Sequence, residues 1–394
     1  MLTLQLLVPR SLPARVRNTD LLQNIDLGLL GEFVTGGRKL RCVFEPLVAG
    51  QASVLAPLVA ARGLSWGARR FGLRAPEELA QKLYGACFAL NPDPRADVVL
   101  GHGLLPILPI PGRRPRAQPG VLWGPGYVHD DCYVAAPSAS EKSLTDARLR
   151  ALSAAAGGIF LTTDDAVARW NRHIGTPSSD HVFTLPLFLP RAPRSTALPA
   201  RVAHGQTTQL LFVGREARRK NLPALIAAID SLGPVRSLRL TIVSDFRDGP
   251  VDIDRPYILH HNSLPNHVVL EAMQRSDILA MISQRETFGV VFVEALAYGC
   301  TVLAPERTAQ RDMLGPSAVY AQPDSVESIA AALDELLGGG SARFRERAEV
   351  AQARYARRFA PDVVANAFFD AAQRVAAGGE RVYSDAMRRS GVQH

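Results

Sequence analysis

The sequence predicts an α/β fold of two doubly wound domains, each with a parallel sheet covered by helices on both faces. Short apolar runs of strand length alternate with longer helical patterns, which is the arrangement typical of parallel sheets. The alternation stops at a proline-rich stretch, residues 186–207, and then restarts. The length of 394 residues fits this division, at roughly 150 residues for each domain.

The first half of the chain contains five short apolar runs that are typical of buried strands. Longer stretches with helical periodicity lie between them. The clearest of these is 145–157, which ends on a glycine suited to the position after a helix. The predicted strands are LTLQLLV (2–8), KLRCVFE (39–45), ADVVLG (96–101), GVLW (120–123) and GIFLTT (158–163).

Residues 186–207 contain four prolines and indicate a linker between domains. The same alternation follows it, so the second half should be a similar domain. Ligands of doubly wound sheets bind beyond the carboxyl ends of the strands, and the cleft between the domains is the expected site. The predicted strands after the linker are 209–214, 238–244, 256–261, 277–283 and 300–305, and the predicted helices are 222–232 and 325–339.

Composition indicates a protein of the cytoplasm that binds anions. Hydrophobic residues are 47% and charged residues 21% of the chain, and no apolar run approaches the ~20 residues of a membrane span. The four cysteines form no CxxC pair, which suits a reducing compartment. The N-terminus lacks the pattern of a signal peptide. A net charge of +8 should attract nucleotide phosphates, nucleic acid or an anionic membrane face.

The stretch RETFGVVFVEALAYGC (285–300) places two glutamates eight positions apart. Glu286 follows a predicted strand and precedes a predicted helix, so it should lie where ligands of such sheets are bound. Gly289 would let the backbone approach a ligand, and the helix N-terminus favours a phosphate. Glu294 should lie one to two turns into the helix. Taken alone, this pair could also be a surface pair on a helix.

A second stretch, FVGREARRKN (212–221), carries Arg215 and Lys220 after a predicted strand. Two cations beside a helix N-terminus are suited to clamp a phosphate, because arginine offers a planar fork and lysine a point charge. A solvated basic loop is the alternative.

Together, strand-GR-x4-K-helix and the later E-x7-E resemble the GT4 family of retaining glycosyltransferases, which have the GT-B fold. The resemblance runs from about 209 to 310, and SxxETFGxVFVEALAYGC-x-V (283–302) is close to the family pattern. It implies two Rossmann-like domains that face a central cleft. It also implies an activity, transfer of a sugar from a UDP- or GDP-linked nucleotide-sugar with retained configuration and without a metal.

The resemblance assigns roles to individual residues. Arg215 and Lys220 would hold the diphosphate of the donor, Glu286 its sugar hydroxyls, and Glu294 its ribose hydroxyls. A histidine of the N-terminal domain would lie against the donor sugar; His129 is preferred and His102 is the alternative. Backbone N–H groups would be presented to sugar and phosphate by Thr287, Phe288, Gly289 and Val290.

Two loops depart from the family pattern and leave the acceptor and the sugar open. The loop after the first strand, PRSLPARVRNTD (9–20), lacks the usual pair of glycines, which Arg10, Arg15 or Arg17 could replace. After 304–306 the chain reads RTAQRD, where the family has a glycine-rich turn.

The predicted division has four parts. An acceptor-binding domain covers 1–195, a linker 196–206, a donor-binding domain 207–358, and a helical segment that returns to the first domain 359–394. The acceptor would be a glycan or lipid-linked glycan of cell-surface polysaccharide synthesis. An anionic membrane surface on the cytoplasmic side is a further candidate partner, through the arginine-containing stretch 54–75, and an ordinary helix packed on the sheet is the alternative.

Three other functions remain as alternatives. They are a GT-B-fold nucleotide-sugar epimerase, a non-catalytic nucleotide-sugar-binding scaffold, and a nucleic-acid-binding protein, which lacks any recognised module. No metal site is expected, because the DxD at Asp252 and Asp254 lies in a loop and does not end a hydrophobic strand.

Overall fold

A computed structural model describes residues 1–7, 30–44, 96–102, 120–124, 149, 156–174, 182–198, 207–233, 237–286, 288–338 and 340–389. The chain divides into two compact units. The first unit comprises residues 1–190 and 365–394, and the second comprises 191–364. The predicted boundaries at 195, 206 and 358 stay predictions.

The first unit contains a six-stranded parallel sheet in the order β2-β1-β3-β4-β5-β6. The order changes direction between β1 and β3, as in doubly wound sheets. All five strands predicted for this half are present, with ends that differ by up to two residues. The strands are β1 (Leu2–Leu7), β2 (Leu40–Phe44), β3 (Val98–His102), β4 (Gly120–Gly124), β5 (Gly158–Leu161) and β6 (Val182–Thr184).

Helix α1 (Leu30–Phe33) and helix α2 (Asp164–His173) lie in this unit. Helix α2 starts there because the Thr163 hydroxyl accepts a hydrogen bond from the Ala166 N–H, which satisfies one of the free donors of the first turn. Of the predicted helix 145–157, residue 149 is helical, while 156 and 157 form the turn into β5.

The second unit contains a six-stranded parallel sheet in the order β12-β11-β10-β7-β8-β9. Renumbered from its first strand, this is the 3-2-1-4-5-6 order of dinucleotide-binding sheets, and its direction reverses between β7 and β10. Strands β10 and β11 are buried throughout, as expected for a parallel sheet covered on both faces. The strands are β7 (Thr208–Val213), β8 (Leu238–Val243), β9 (Ile258–His261), β10 (Ile278–Ala280), β11 (Thr301–Pro305) and β12 (Ala318–Ala321).

Seven helices follow in the described chain, two of which the sequence analysis predicted with ends within two residues. The last two helices are separated at residues 359–360, because Pro361 starts a new helix. Helix α9 begins in the second unit and continues in the first. The helices are α3 (Leu222–Ser231), α4 (Asn266–Gln274), α5 (Val290–Ala297), α6 (Thr308–Leu314), α7 (Val326–Leu337), α8 (Gly340–Arg358) and α9 (Pro361–Arg389).

Within the first unit, α9 is tied to the residues before β2. The Arg38 guanidinium pairs with the Asp370 carboxylate, donates to the Asn366 side chain and lies 4.9 Å from the centre of the Phe369 ring. Phe368 packs edge-on against Phe160, with ring centres 5.2 Å apart. The C-terminal helix is therefore a structural part of the first unit.

Candidate functional site

The reversal of strand order in the second unit brings two distant loops together. Strands β7 and β10 are hydrogen-bonded neighbours, so residues 214–221 and 281–286 leave the sheet side by side at its carboxyl edge. The Gln284 N–H donates to the Arg219 carbonyl at 3.0 Å, which joins the loops through their backbones. These are the two stretches that carry the predicted site residues.

Lys220 and Glu286, 66 residues apart in sequence, form an ion pair in this region. The carboxylate of Glu286 is almost fully buried, with 3% of its side chain exposed, and the Lys220 side chain is 12% exposed. A buried carboxylate without a cation would cost several kcal/mol, so Lys220 compensates the charge of Glu286. The predicted roles place Lys220 on the diphosphate and Glu286 on the sugar of a ligand, and a contact between the two side chains was not predicted.

Gly214 makes room for Lys220. A Cβ atom at position 214 would lie 3.0 Å from the Lys220 Cγ, so a larger residue would displace the lysine from its place above the end of β7. Gly214 therefore leaves the space in which the Lys220 side chain lies.

Arg215 has a different partner and is more exposed. Its guanidinium donates to one oxygen of Asp245 at 3.0 and 3.1 Å, and both side chains are partly open to solvent. Exposed pairs of this kind contribute only about 0–1 kcal/mol, so an incoming anion could replace Asp245 at little cost. The sequence analysis missed Asp245, although its loop directly follows a predicted strand.

The loop after β8 also shapes the loop after β7. The Asp248 carboxylate accepts from the N–H groups of Arg218 and Arg219, at 3.1 and 2.7 Å. Phe246 adopts a positive φ of 48° and stacks on the His260 ring, with ring centres 4.5 Å apart. The first loop is thus held by a neighbour with a defined conformation.

Gly289 is required by packing as well as by backbone conformation. Its φ is 79°, in the left-handed region that favours glycine, and it begins helix α5. A Cβ there would lie 2.5 Å from the Phe292 ring and 3.2 Å from the Glu286 Cγ. This structural reason stands beside the predicted approach of a ligand.

Glu294 lies half-buried on α5. Burial raises the pKa of its carboxyl to about 7, and a hydrogen bond with the side chain of Asn266 opposes that rise. No cation is among the causes of the shift, so Glu294 is a carboxyl group near its point of half-ionisation at neutral pH. Asn266, the first residue of α4, is a site neighbour that the sequence analysis missed.

The remaining predicted residues are placed as follows. Phe288 is buried, with its ring centre 6.3 Å from that of Phe359, and Val290 is the first residue of α5. Thr287 and His129 lie outside the described residues, as do 9–20 and 54–75, and the structure describes only the backbone of His102.

The DxD residues take part in contacts that shape their own loop. Asp252 pairs with Arg255 at 3.2 Å and accepts from the Asp254 N–H, and Arg255 also pairs with Asp230 at 2.9 Å. Within the described ranges, no three His, Cys, Asp or Glu side chains are grouped so that they could hold a metal ion. In the same part of the chain, every helix is too short or too polar to cross a bilayer.

The arrangement can bind an anion that also carries hydroxyl groups. Cations and backbone N–H groups at the carboxyl edge of a parallel sheet are suited to phosphate, and carboxylates are suited to accept hydrogen bonds from hydroxyls.

Residues 196–355 match the family described as "Glycosyl transferases group 1". A search of curated proteins found no match. Similar solved structures include the sucrose-phosphate synthase of Thermosynechococcus elongatus, with 14% identity, a TM-score of 0.62, and 96% and 100% of the two chains covered. An alpha,alpha-trehalose-phosphate synthase (UDP-forming) from Burkholderia vietnamiensis has 14% identity and a TM-score of 0.62, covering 96% and 98%.

A third similar structure is the E. coli trehalose-6-phosphate protein bound with UDP-2-fluoro glucose. It has 13% identity and a TM-score of 0.60, and 94% and 99% of the two chains are covered. At such identities the likeness shows the fold. The chain thus has the GT-B fold, and its residues 196–355 match the group 1 glycosyltransferases.

Proposed function

We propose that this protein transfers a sugar from a nucleotide-sugar to a glycan or lipid-linked glycan, with retention of configuration at the anomeric carbon. The observation that carries the proposal is the ion pair of Lys220 with Glu286 at the strand-order reversal between β7 and β10, with Arg215 in the same loop as Lys220. Doubly wound sheets bind nucleotides at such reversals. The group 1 family match covers this region.

Each group has a role in this chemistry. Cleavage of the bond between sugar and phosphate builds negative charge on the leaving diphosphate, which Arg215 and Lys220 stabilise as fixed cations. The sugar passes through an oxocarbenium-like state, as in glycoside hydrolysis. Glu286 binds the sugar hydroxyls and Glu294 the ribose hydroxyls. The proposed catalytic residues are His129 and Glu286.

Donor binding involves an exchange of partners. In the described structure Arg215 forms an ion pair with Asp245, and Lys220 forms one with Glu286. A diphosphate would displace Asp245 easily, because that pair is exposed. Lys220 would keep its contact with Glu286 and donate another of its three N–H groups to the phosphate. The lysine would then join the sugar-binding carboxylate to the leaving group.

The donor is proposed to be UDP- or GDP-linked, with no metal required. A fold relative is bound with UDP-2-fluoro glucose and another is named as UDP-forming, which supports a uridine donor through the fold. The acceptor proposal rests on the basic charge of the chain, +8, which would favour an anionic or membrane-linked acceptor on the cytoplasmic face.

A thermal-shift panel tests the proposal. The protein is heated with UDP-, GDP-, dTDP- and ADP-sugars and with the matching diphosphates. A ligand at a hundred times its Kd should add about 2.7 kcal/mol of stability. One nucleotide series should stabilise the protein, and the Arg215→Ala variant should lose about half of that added stability at the same ligand concentration. If no series stabilises the wild type, the proposal is wrong.

A further inference from the structure

The segment that carries Glu286 is held from two sides by arginines outside the family motif. The Arg307 Nη2 donates to the carbonyl of Gln284 at 2.6 Å. The Arg219 Nη1 donates to the next carbonyl, that of Arg285, at 2.7 Å. Lys220 then pairs with the side chain of Glu286 itself. Three consecutive residues are therefore each bound by a different cation.

The two arginines come from different loops of the same sheet edge. Arg219 belongs to the loop after β7, and Arg307 follows β11 and precedes α6. Strands β7 and β11 flank β10 on opposite sides, so their loops flank the segment 284–286. A displacement of this segment toward either side would break one of the two contacts.

The geometry of Arg219 is itself fixed. Its Nε and Nη2 donate to one oxygen of Glu216 at 2.9 and 2.7 Å, which leaves Nη1 directed to the Arg285 carbonyl. The backbone N–H of Arg219 is bound by Asp248. The guanidinium is thus a rigid brace, because planar arginine forks lose little freedom for each hydrogen bond they form.

Arg307 acts from the other side and makes no ion pair among the described residues. Its side-chain contact in that part of the structure is the hydrogen bond to the Gln284 carbonyl. It stands where the GT4 pattern has a glycine-rich turn, so this brace belongs to this chain and not to the family motif. The donor is charged, which strengthens this hydrogen bond, although the contact is exposed to solvent.

We propose that Arg219 and Arg307 are positioning residues that fix Glu286 against the donor sugar. The inference rests on the proposed function, in which Glu286 binds the sugar and Arg215 and Lys220 bind the diphosphate. The braces would then matter for a nucleotide-sugar, which reaches Glu286. They would matter much less for the nucleoside diphosphate, which ends at the cations.

Calorimetric titration of two ligands tests this division. The nucleotide-sugar found by the thermal-shift panel and its nucleoside diphosphate are titrated into wild type, Arg307→Ala and Arg219→Ala. Each alanine variant should bind the nucleotide-sugar about tenfold more weakly, the loss of one charged hydrogen bond, and the diphosphate within about twofold of wild type. Arg307→Lys should regain part of the loss, since an ammonium group can still donate to the Gln284 carbonyl.

Arg275→Ala is the matched control. Arg275 is an exposed arginine after α4, at the opposite edge of the sheet, so its loss removes the same charge without a brace. Both affinities should stay at the wild-type value. If Arg307→Ala loses affinity equally for both ligands, Arg307 acts only by attracting phosphate, and the proposal is overturned. Unchanged affinity for both would overturn it as well.

Hydrogen exchange of the ligand-free protein separates failure of this inference from failure of the proposed function. The peptide covering 281–289 should exchange several-fold faster in Arg219→Ala and Arg307→Ala than in Arg275→Ala, because local opening becomes easier. If this holds and no nucleotide binds the wild type, the braces are real but the proposed function is wrong. If exchange is unchanged, the braces do not hold the segment, whatever binds there.

Discussion

Glu286 and Glu294 lie eight positions apart, on a loop and on the helix that follows it, yet their surroundings differ in kind. Glu286 is buried against a lysine, and its backbone neighbours are bound by two arginines. Glu294 is hydrogen-bonded to an amide, and its charge adds to the rise in the pKa values of Tyr298 and Tyr355 that burial mainly causes.

The difference shows how one short sequence can supply two functions from the same residue type. A carboxylate beside a cation is held in place by it. A buried carboxylate that only an amide hydrogen bond stabilises is costly to ionise until a ligand satisfies it. The first is suited to hold a sugar in one orientation, and the second is suited to respond when ribose hydroxyls arrive.

Replacement of Lys220 by methionine should have the largest effect. It leaves Glu286 buried without a cation, which costs about 3–5 kcal/mol of unfolding free energy. Urea denaturation measures the loss. The double variant Lys220→Met with Glu286→Gln should regain most of it, because no buried charge is left alone. A single variant as stable as wild type would show that the pair does not form.

Replacement of Glu294 by glutamine should change how stability depends on pH. The folded-state pKa, about 7, lies above the ordinary value of 4.5, so the folded protein holds this proton more tightly than the unfolded chain. The stability from Glu294 is therefore complete below pH 4.5 and lost as pH rises to 7, by at most about 3 kcal/mol.

Denaturant titrations between pH 4.5 and pH 8 test this. The unfolding free energy of the Glu294→Gln variant should fall less between pH 4.5 and pH 8 than that of wild type. The variant should therefore be more stable than wild type at pH 8. Glu346→Gln, which changes an exposed glutamate on α8, should keep the wild-type slope. Identical slopes in wild type and Glu294→Gln would contradict the burial of Glu294.

Replacement of Arg215 by alanine should weaken diphosphate binding without a change in stability. Its pair with Asp245 is exposed, so unfolding free energy should stay within about 0.5 kcal/mol of wild type. Loss of a charged hydrogen bond to phosphate should cost about tenfold in Kd. Calorimetry and urea denaturation of the same preparation separate the two effects, and unchanged affinity would place the phosphate elsewhere.

Replacement of Asp245 by asparagine should have a smaller and opposite effect. It removes the carboxylate that competes with phosphate for Arg215, so the nucleoside diphosphate should bind about two- to threefold more tightly. A change of this size matches the small free energy of an exposed ion pair. Weaker binding would mean that Asp245 aligns Arg215 and does not compete.

Removal of metal ions should have no effect. Transfer activity with the identified donor should be the same with and without EDTA, because fixed cations stabilise the leaving diphosphate. A strict requirement for Mn²⁺ would return attention to Asp252 and Asp254.

The alternating runs were sufficient to predict the sheets, because buried parallel strands are near-continuous apolar segments. Helix α5 was also predicted, although its VVFV sequence favours strands. Strands β6 and β12 and helices α1, α4, α6 and α8 were missed. Strand β12 is four residues long, and the buried face of helix α8 is formed by Phe344, Ala348, Ala351 and Tyr355, whose two alanines give a weak hydrophobic signal.

The spacing of Arg215, Lys220, Glu286 and Glu294 indicated the site, but not the contacts within it. The pairing of Lys220 with Glu286 depends on strand order, since β10 adds beside β7 and not beside β9. The raised pKa of Glu294 depends on its burial in the folded chain, which the hydrogen bond with Asn266 partly offsets. Arg307 reaches the Gln284 carbonyl only because β11 lies on the far side of β10. These are tertiary facts that no local pattern contains.

The most direct test of the central claim, that Glu294 binds the donor's ribose beside the cation clamp, is a four-way titration. Wild type and Glu294→Ala are each titrated with the nucleoside diphosphate and with its 2′,3′-dideoxy analogue. Loss of the hydroxyls should weaken binding about tenfold in wild type and less than twofold in the variant, because alanine has no group that could accept their hydrogen bonds. Equal losses in both proteins would contradict the claim.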